Sequence, residues 1–429
     1  MKLIKNARIV VRDNQTKIVD ILIKGHSIEK IADHIEEGDS WQIYDAKERL
    51  TLPGGIDVHV HLREPGFEEK ETIRTGSMAA LKGGYTTIMP MPNLKPSPDN
   101  LDDIRKYLEL IKKDSLVNIV PYACITERSM GRKVVDMKFI KDEFNLSAFT
   151  DDGVGLQSED IMKEAMTLAK GQGAMIVAHT EDMTYRKPNS SVHQGKKAEE
   201  NGWIGIPSET EYKQVERDLQ LALETGVKYH ICHMSAKESV EALRKYKALG
   251  ADVSGEVTTH HLLLTEEDVV NPNYKMNPPL REEADRQALI EGLLDGTVEF
   301  IANDHAPHTI EEKQRDMGKA PFGIVGLETS IPLIYTNFVK KGIFSLEQFQ
   351  QFIAEKPAKR FGFSKKGKLE EGYDGDLIIL SEEEKIIDSK DFLSKGKNTP
   401  FNGYKCSGFP VYTFVNGRCA YEMGEIIND

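Results

Sequence analysis

The chain has 429 residues, a formal net charge of −13 and four cysteines. That length suggests a large barrel with a smaller unit beside it. The acidic balance, with no basic run to offset it, argues against a nucleic-acid or anionic-membrane surface and leaves a small molecule as the expected partner. Cys124, Cys232, Cys406 and Cys419 make no C-x-x-C pair and no disulfide-framework spacing, so they read as reduced packing residues. The opening MKLIKNARIVVRDNQ lacks the apolar core of a signal peptide and no run reaches bilayer-spanning length, which predicts a cytoplasmic protein.

Residues 1–54 give short alternating apolar segments, KLIKNARIVV, KIVDILIKG and SIEKIAD, broken by Asn, Asp and Gly as antiparallel strands and hairpins are. From residue 55 the rhythm changes. Short apolar runs alternate with helical stretches such as SEDIMKEAMTLAKGQG and AKESVEALRKYKALG. The strand candidates are IDVHVHL, TTIMPMPN, VNIVPYACIT, LSAFTDD, AMIVAHTED, KYHICHMSA, DVSGEVTTHH and VEFIANDHAPH, the eight that a closed (β/α)8 TIM-type barrel over residues 55–365 requires. YRKPNSSVHQGKKAEENGWIGIPSE, residues 185–209, reads as an excursion over the barrel mouth. Strands return over 366–429 in GKLEEGYDGDLIIL and PVYTFVNGRCAYEM, where Asn416-Gly417 signals a hairpin. The two chain ends are therefore expected to build one small β-sandwich.

Catalytic residues of such barrels stand at the carboxyl ends of strands. His59 and His61, two apart and so on one strand face, close the first strand; Asp151 closes the fourth, His179 the fifth, His233 the sixth and Asp304 the eighth. Imidazoles and carboxylates are zinc donors, and six exceed one tetrahedral site, so two metals sharing a ligand and an activated water are the natural count. FTDDG carries a second aspartate, Asp152, and parity alone does not choose between the two. A lone histidine is more often structural; for His59 and His61 the shared face reverses that reading. His230, three residues before His233, is expected on the opposite face toward the helices, while His260, His261 and His305 read as supporting or packing residues. Glu282 and Glu283 read as a solvated helix face.

DVHVHLREPG, IMPMPN, FTDDG, AHTED, ICHMSAKESVE, TTHHLLLTEED, KMNPPLR and ANDHAPH together resemble the bacterial type I dihydroorotases of the amidohydrolase superfamily. H-x-H marks only the superfamily; HLREPG with NDHAPH and APFGIVGLET is specific to the dihydroorotase branch. The resemblance implies zinc-dependent, reversible cyclisation of N-carbamoyl-L-aspartate to L-dihydroorotate in pyrimidine biosynthesis. It makes His59, His61 and Asp304 ligands of one Zn²⁺ and His179 and His233 ligands of the other. Hydantoinases and the shorter dihydroorotases bridge the ions with a carboxylated lysine at the end of the fourth strand; NLSAFTDDG has none, so the resemblance assigns the bridge to Asp151. It also assigns Arg63, Asn93 and His308 to the substrate carboxylate and ring, and Asn277 with backbone groups around Phe322 and Gly323 to the pyrimidine edge. A homodimer and an aspartate transcarbamoylase partner are family-level expectations.

Physical chemistry supports part of this independently. An acidic protein must bind a carboxylate locally, and the planar fork of Arg63 emerges from the same rim as His61. Asn93 and Asn277 stand next to prolines and could be turn residues, but they fall at barrel loop mouths. The polar segment 309–323 is expected to be mobile. Asp304 is expected to take a proton from the attacking water and deliver it to the leaving ring nitrogen, so closure is favoured at lower pH and opening at higher pH. Competing readings are another cyclic amidase, such as an allantoinase or hydantoinase, and a metal-free scaffold relative that has lost its ligands.

Overall fold

A computed structural model describes residues 1–12 and 14–427. Its centre is eight parallel strands, Gly55–Val60, Tyr85–Pro90, Asn118–Ile119, Ala148–Phe149, Met175–Ala178, Lys228–Ile231, Val253–Thr258 and Phe300–Ala302. Ladders join the first three and the last five. Parallel bridges Ala123–Phe149 and Val60–His305 close the two gaps, so the expected barrel is formed.

The helices between strands form where the apolar spacing predicts them. Glu159–Gly171 buries Met162, Ala165, Met166 and Ala169, the i, i+3, i+4, i+7 stripe of an amphipathic helix, and the Ser158 side chain accepts the Ile161 N–H to cap its start. Inside the barrel, Ile56, Val58, Met89, Tyr122, Met175, Val177, Cys232 and Phe300 form one apolar cluster drawn from strands all around the ring. This plug fills the lower lumen, so polar side chains converge only above it.

Both chain ends build the second unit. Lys2–Val10, Thr16–Lys24, Ser27–Ala32 and Gln42–Asp45 make one sheet, while Thr51–Pro53 joins Leu377–Ser381, Phe409–Val415, Arg418–Glu422 and Glu425–Ile426 in another. Ile4, Val19, Ile21 and Ile23 of the first pack on Leu377, Ile379, Val411 and Phe414 of the second, giving the two-layer core of a β-sandwich. Asn416 (φ 50°) and Gly417 (φ 72°) turn the predicted hairpin with the two left-handed residues that a type I′ turn needs. Among the described residues no helix is long and apolar enough to cross a membrane.

Candidate metal centre and active site

The strand ends deliver their side chains through unusual backbone. Arg63 (φ 64°), His233 (φ 31°) and Asp304 (φ 48°) all stand in the left-handed region, which for such residues costs of order 1–3 kcal/mol each and persists only where the surroundings hold it. The turns bend the chain as it leaves the strands. Asp304 Oδ1 then lies 3.0 Å from His61 Nε2 and 3.6 Å from His59 Nε2. His179 Nδ1 lies 2.9 Å from His233 Nε2.

One carboxylate stands among all four imidazoles. Asp152 Oδ1 is 3.5 Å from His59 Nε2, 3.7 Å from His179 Nδ1 and 3.7 Å from His233 Nε2, and its Oδ2 is 3.5 Å from His61 Nε2. Zinc bonds of about 2.0–2.2 Å set donors roughly 3.2–3.6 Å apart around one ion, so these separations are the edges of ligand shells. His59 Nε2 and Asp152 Oδ1 are buried and have no hydrogen-bond partner among the described residues. A buried charged oxygen left bare is unfavourable, and a shared cation supplies the missing partner. Three donor groups overlap at His59: His59, His61 and Asp304; His59, Asp152 and His233; and His59, Cys232 and Glu256. The set fits a pair of zinc ions.

The expected bridge at Asp151 is corrected. The fourth strand ends at Phe149, and parity does not carry through the turn that follows. Asp151 accepts the N–H groups of Ile125 at 2.9 Å and Thr126 at 3.2 Å, together with the Thr126 hydroxyl, and so ties this turn to the loop after the third strand. Asp152 is the aspartate turned into the mouth. Burial acts to raise its pKa, but the charges of the surrounding imidazoles, His59 first, hold it well below the usual carboxylate range. Asp304 is likewise held low: burial acts to raise it, but the His61 hydrogen bond and the charges of His59, His61 and His233 together outweigh burial.

A second correction concerns His230. Strand Lys228–Ile231 ends before His233, so counting from one histidine to the other misassigns the face. His230 faces the lumen, stacked on Phe300 with centroids 5.2 Å apart, and its Nε2 reaches Glu256 Oε2 at 3.0 Å. The other oxygen, Glu256 Oε1, lies 2.6 Å from His59 Nδ1. Glu256 is fully buried; its charge is held by His59 and His230, which overcome burial and bring its pKa to about 2. The carboxylate therefore fixes His59 with Nδ1 protonated and Nε2 free for a metal, a support that sequence reading missed. Cys232 also stands near His59 and Glu256. Burial pushes its thiol pKa well up, which favours the neutral packing form.

His260, His261 and His305 stay outside the donor groups. His305 Nδ1 accepts the Gly326 N–H at 3.2 Å while Nε2 meets Glu71 at 3.3 Å, and His261 bonds Thr258 Oγ1 and the Pro278 carbonyl.

Beside the metal centre is a cavity of about 240 Å³, lined by Arg63, Asn93, Asn277, His308, Phe322 and Gly323 together with the metal-facing side chains and Glu181 and Arg186. Arg63 Nε donates to the Pro307 carbonyl at 3.3 Å, and among the described residues no carboxylate pairs with its guanidinium. Asn93 Oδ1 lies 3.0 Å from His61 Nδ1 and so orients that ring. Asn277 Nδ2 donates to Glu181 Oε2 at 3.2 Å, and the same oxygen lies 3.2 Å from His179 Nε2. His308 Nε2 donates to the Phe322 carbonyl at 2.7 Å. Gly323 (φ 122°) has no room for a side chain: a Cβ there would lie 2.6 Å from Ala306 Cβ. Glu181 and Arg186 were not anticipated. Arg186 comes from the excursion, pairs with Glu181, and stacks 4.9 Å from the centroid of Phe322.

A closed parallel barrel with paired imidazole–carboxylate donors at its mouth defines a metal-dependent amide hydrolase of the amidohydrolase type. The family model described as Dihydro-orotase-like matches residues 48–239. Dihydroorotases of Halalkalibacterium halodurans and of Bacillus cereus are 49% and 48% identical to the chain, covering 99% and 98% of it and the same shares of their own lengths. Solved structures with the same fold include an L-hydantoinase from Arthrobacter aurescens (TM-score 0.90, 28% identity, 100% of this chain and 97% of that one). A D-hydantoinase from Thermus sp. gives a TM-score of 0.87 at 25% identity, over 100% of this chain and 97% of that one. The chain belongs to the dihydroorotase family.

Proposed function

We propose that the protein is a dihydroorotase, catalysing the zinc-dependent, reversible cyclisation of N-carbamoyl-L-aspartate to L-dihydroorotate. The observation that carries this beyond the family is Arg63, a cation without a carboxylate partner in the cavity that opens onto the metal centre. Both substrates present a carboxylate, and a guanidinium binds one bidentately. The hydantoinase reading, which the solved structures favour by fold, is disfavoured by the fourth strand, whose NLSAFTDDG offers no lysine for the carboxylated bridge those enzymes are expected to carry.

In this reading His59, His61 and Asp304 hold one ion, His179 and His233 hold the other, and Asp152 is shared. When bound, the zinc pair polarises the amide carbonyl and lowers the pKa of an attacking water. The chain's own groups do the rest. Arg63 takes the substrate carboxylate, Asn93 and His308 flank it, and Asn277 with the backbone at Phe322 and Gly323 holds the ring edge. Asp304 accepts the proton of the attacking water and returns it to the ring nitrogen. The reading extends to a cytoplasmic homodimer, for which sedimentation is the test, and to association with an aspartate transcarbamoylase, for which co-purification is the test.

Arg63→Met tests the assignment. Zinc content should be unchanged, while loss of the charge-assisted contact should lower kcat/KM on dihydroorotate roughly a hundredfold, about 3 kcal/mol. Dihydrouracil, which lacks the carboxylate, should not register the change. An unchanged ratio between the two substrates would remove Arg63 from recognition and reopen the hydantoinase reading.

A further inference from the structure

Segment 309–323 is the polar stretch expected to be mobile, yet its centre is pinned. Lys313, at the end of helix Ile310–Lys313, is 6% exposed. Its Nζ donates to three main-chain carbonyls, those of Gly323 at 2.9 Å, Pro321 at 3.0 Å and Lys275 at 3.3 Å. Among the described residues no carboxylate lies within ion-pair distance of this amine. A buried cation satisfied only by neutral carbonyls is a poor source of stability, and an apolar side chain would fill the same space without burying a charge. What the lysine supplies is position.

The three carbonyls belong to the two loops that form one wall of the substrate cavity. Lys275 is two residues before Asn277, and its carbonyl also accepts the Gly323 N–H at 2.9 Å. Pro321 and Gly323 flank Phe322, whose carbonyl receives His308 Nε2. From the opposite side Asn398, in the C-terminal part of the chain, donates to the Gly323 carbonyl at 3.1 Å and accepts the His308 N–H at 3.1 Å.

We infer that Lys313 is a positioning residue for substrate recognition, its amine locking the 275–277 and 321–323 loops together so that Asn277, His308 and the Gly323 backbone meet the ring. This inference rests on the substrate-pocket reading above. Lys313 touches neither the metal donors nor the reacting atoms, so its removal is felt in binding.

The test is steady-state kinetics of the zinc-loaded full chain on dihydroorotate, with Lys313→Met as the near-isosteric neutral variant. KM should rise at least roughly tenfold while kcat stays within about threefold and zinc content is unchanged. A folded, zinc-loaded variant with wild-type KM overturns the inference, as does a fall in kcat at unchanged KM. If Lys313→Met does not fold, Lys313→Gln, which keeps two of the donors, carries the test: KM should rise at least about threefold, and an unmoved KM overturns the inference. Asn277→Ala and His308→Gln separate the two levels. Unchanged KM in both refutes the pocket reading itself, whereas raised KM in both beside a wild-type KM in the Lys313 variant refutes only the positioning role.

Discussion

Replacing Asp152 with Ala should abolish the metal centre as a working unit, and replacing its neighbour should not. Among the described residues, Asp152 is the one carboxylate within 3.7 Å of a ring nitrogen on each of His59, His61, His179 and His233. In the proposed reading its loss would take a charged donor from both ions at once. A single charged contact is worth about 1.5–3 kcal/mol, so serving two ions sets the loss at about 4 kcal/mol or more, roughly a thousandfold in kcat/KM. Asp151→Ala removes instead the acceptor for the Ile125 and Thr126 amides. That should cost about 1–3 kcal/mol of stability and leave activity within roughly tenfold. The assay is kcat/KM on dihydroorotate beside elemental zinc analysis of each variant and denaturant melts. A fully zinc-loaded, near-wild-type Asp152→Ala, or a reversal of the two variants, would refute the placement of the shared ligand.

Glu256→Gln keeps the shape but removes the charge opposite His59 Nδ1; zinc affinity should fall about 10- to 100-fold with the fold retained, measured by competition with a chelator, and unchanged affinity would make Glu256 a packing residue. Burial pushes the Lys313 pKa down to about 7 from its ordinary 10.5, so the unfolded chain binds more protons between those values and this group's contribution to stability should rise as pH climbs from 7 towards 10.5. Chemical denaturation across that range should show the rise in wild type and its loss in Lys313→Met. Opening releases a new carboxylate and a proton and closure takes that proton up, so opening should gain as pH rises and closure as it falls, and parallel profiles would contradict a water-derived proton that passes through Asp304.

Much of the architecture is legible because barrel strands carry a strong signal: short apolar runs between amphipathic helices, each ending in a polar residue at the mouth. His59, His61, His179, His233 and Asp304 stand at such ends and converge as read. His230 marks where that reasoning stops, since period-two parity holds only within a strand and His230 lies across a strand end from His233, the residue used to count; in FTDDG parity makes no choice, and the turn after Phe149 is what presents Asp152. Glu256 escapes for another reason. Within DVSGEV it is a lone acid in a strand interior, and only the arrival of His59 and His230 from other strands explains its burial. Lys313 looks like one charge in a polar loop until the carbonyls of Lys275, Pro321 and Gly323 are brought around it.

The central claim is that a carboxylate-recognising zinc centre makes this chain a dihydroorotase and not another cyclic amidase. The most direct measurement is kcat/KM of the zinc-loaded protein on dihydroorotate, 5-substituted hydantoin and allantoin under one set of conditions. Dihydroorotate should lead by at least about a hundredfold, the worth of the Arg63 contact, with activity lost on chelation and restored by zinc. Equal or better turnover of the hydantoin, or dihydroorotate turnover that survives complete zinc removal, would contradict the account.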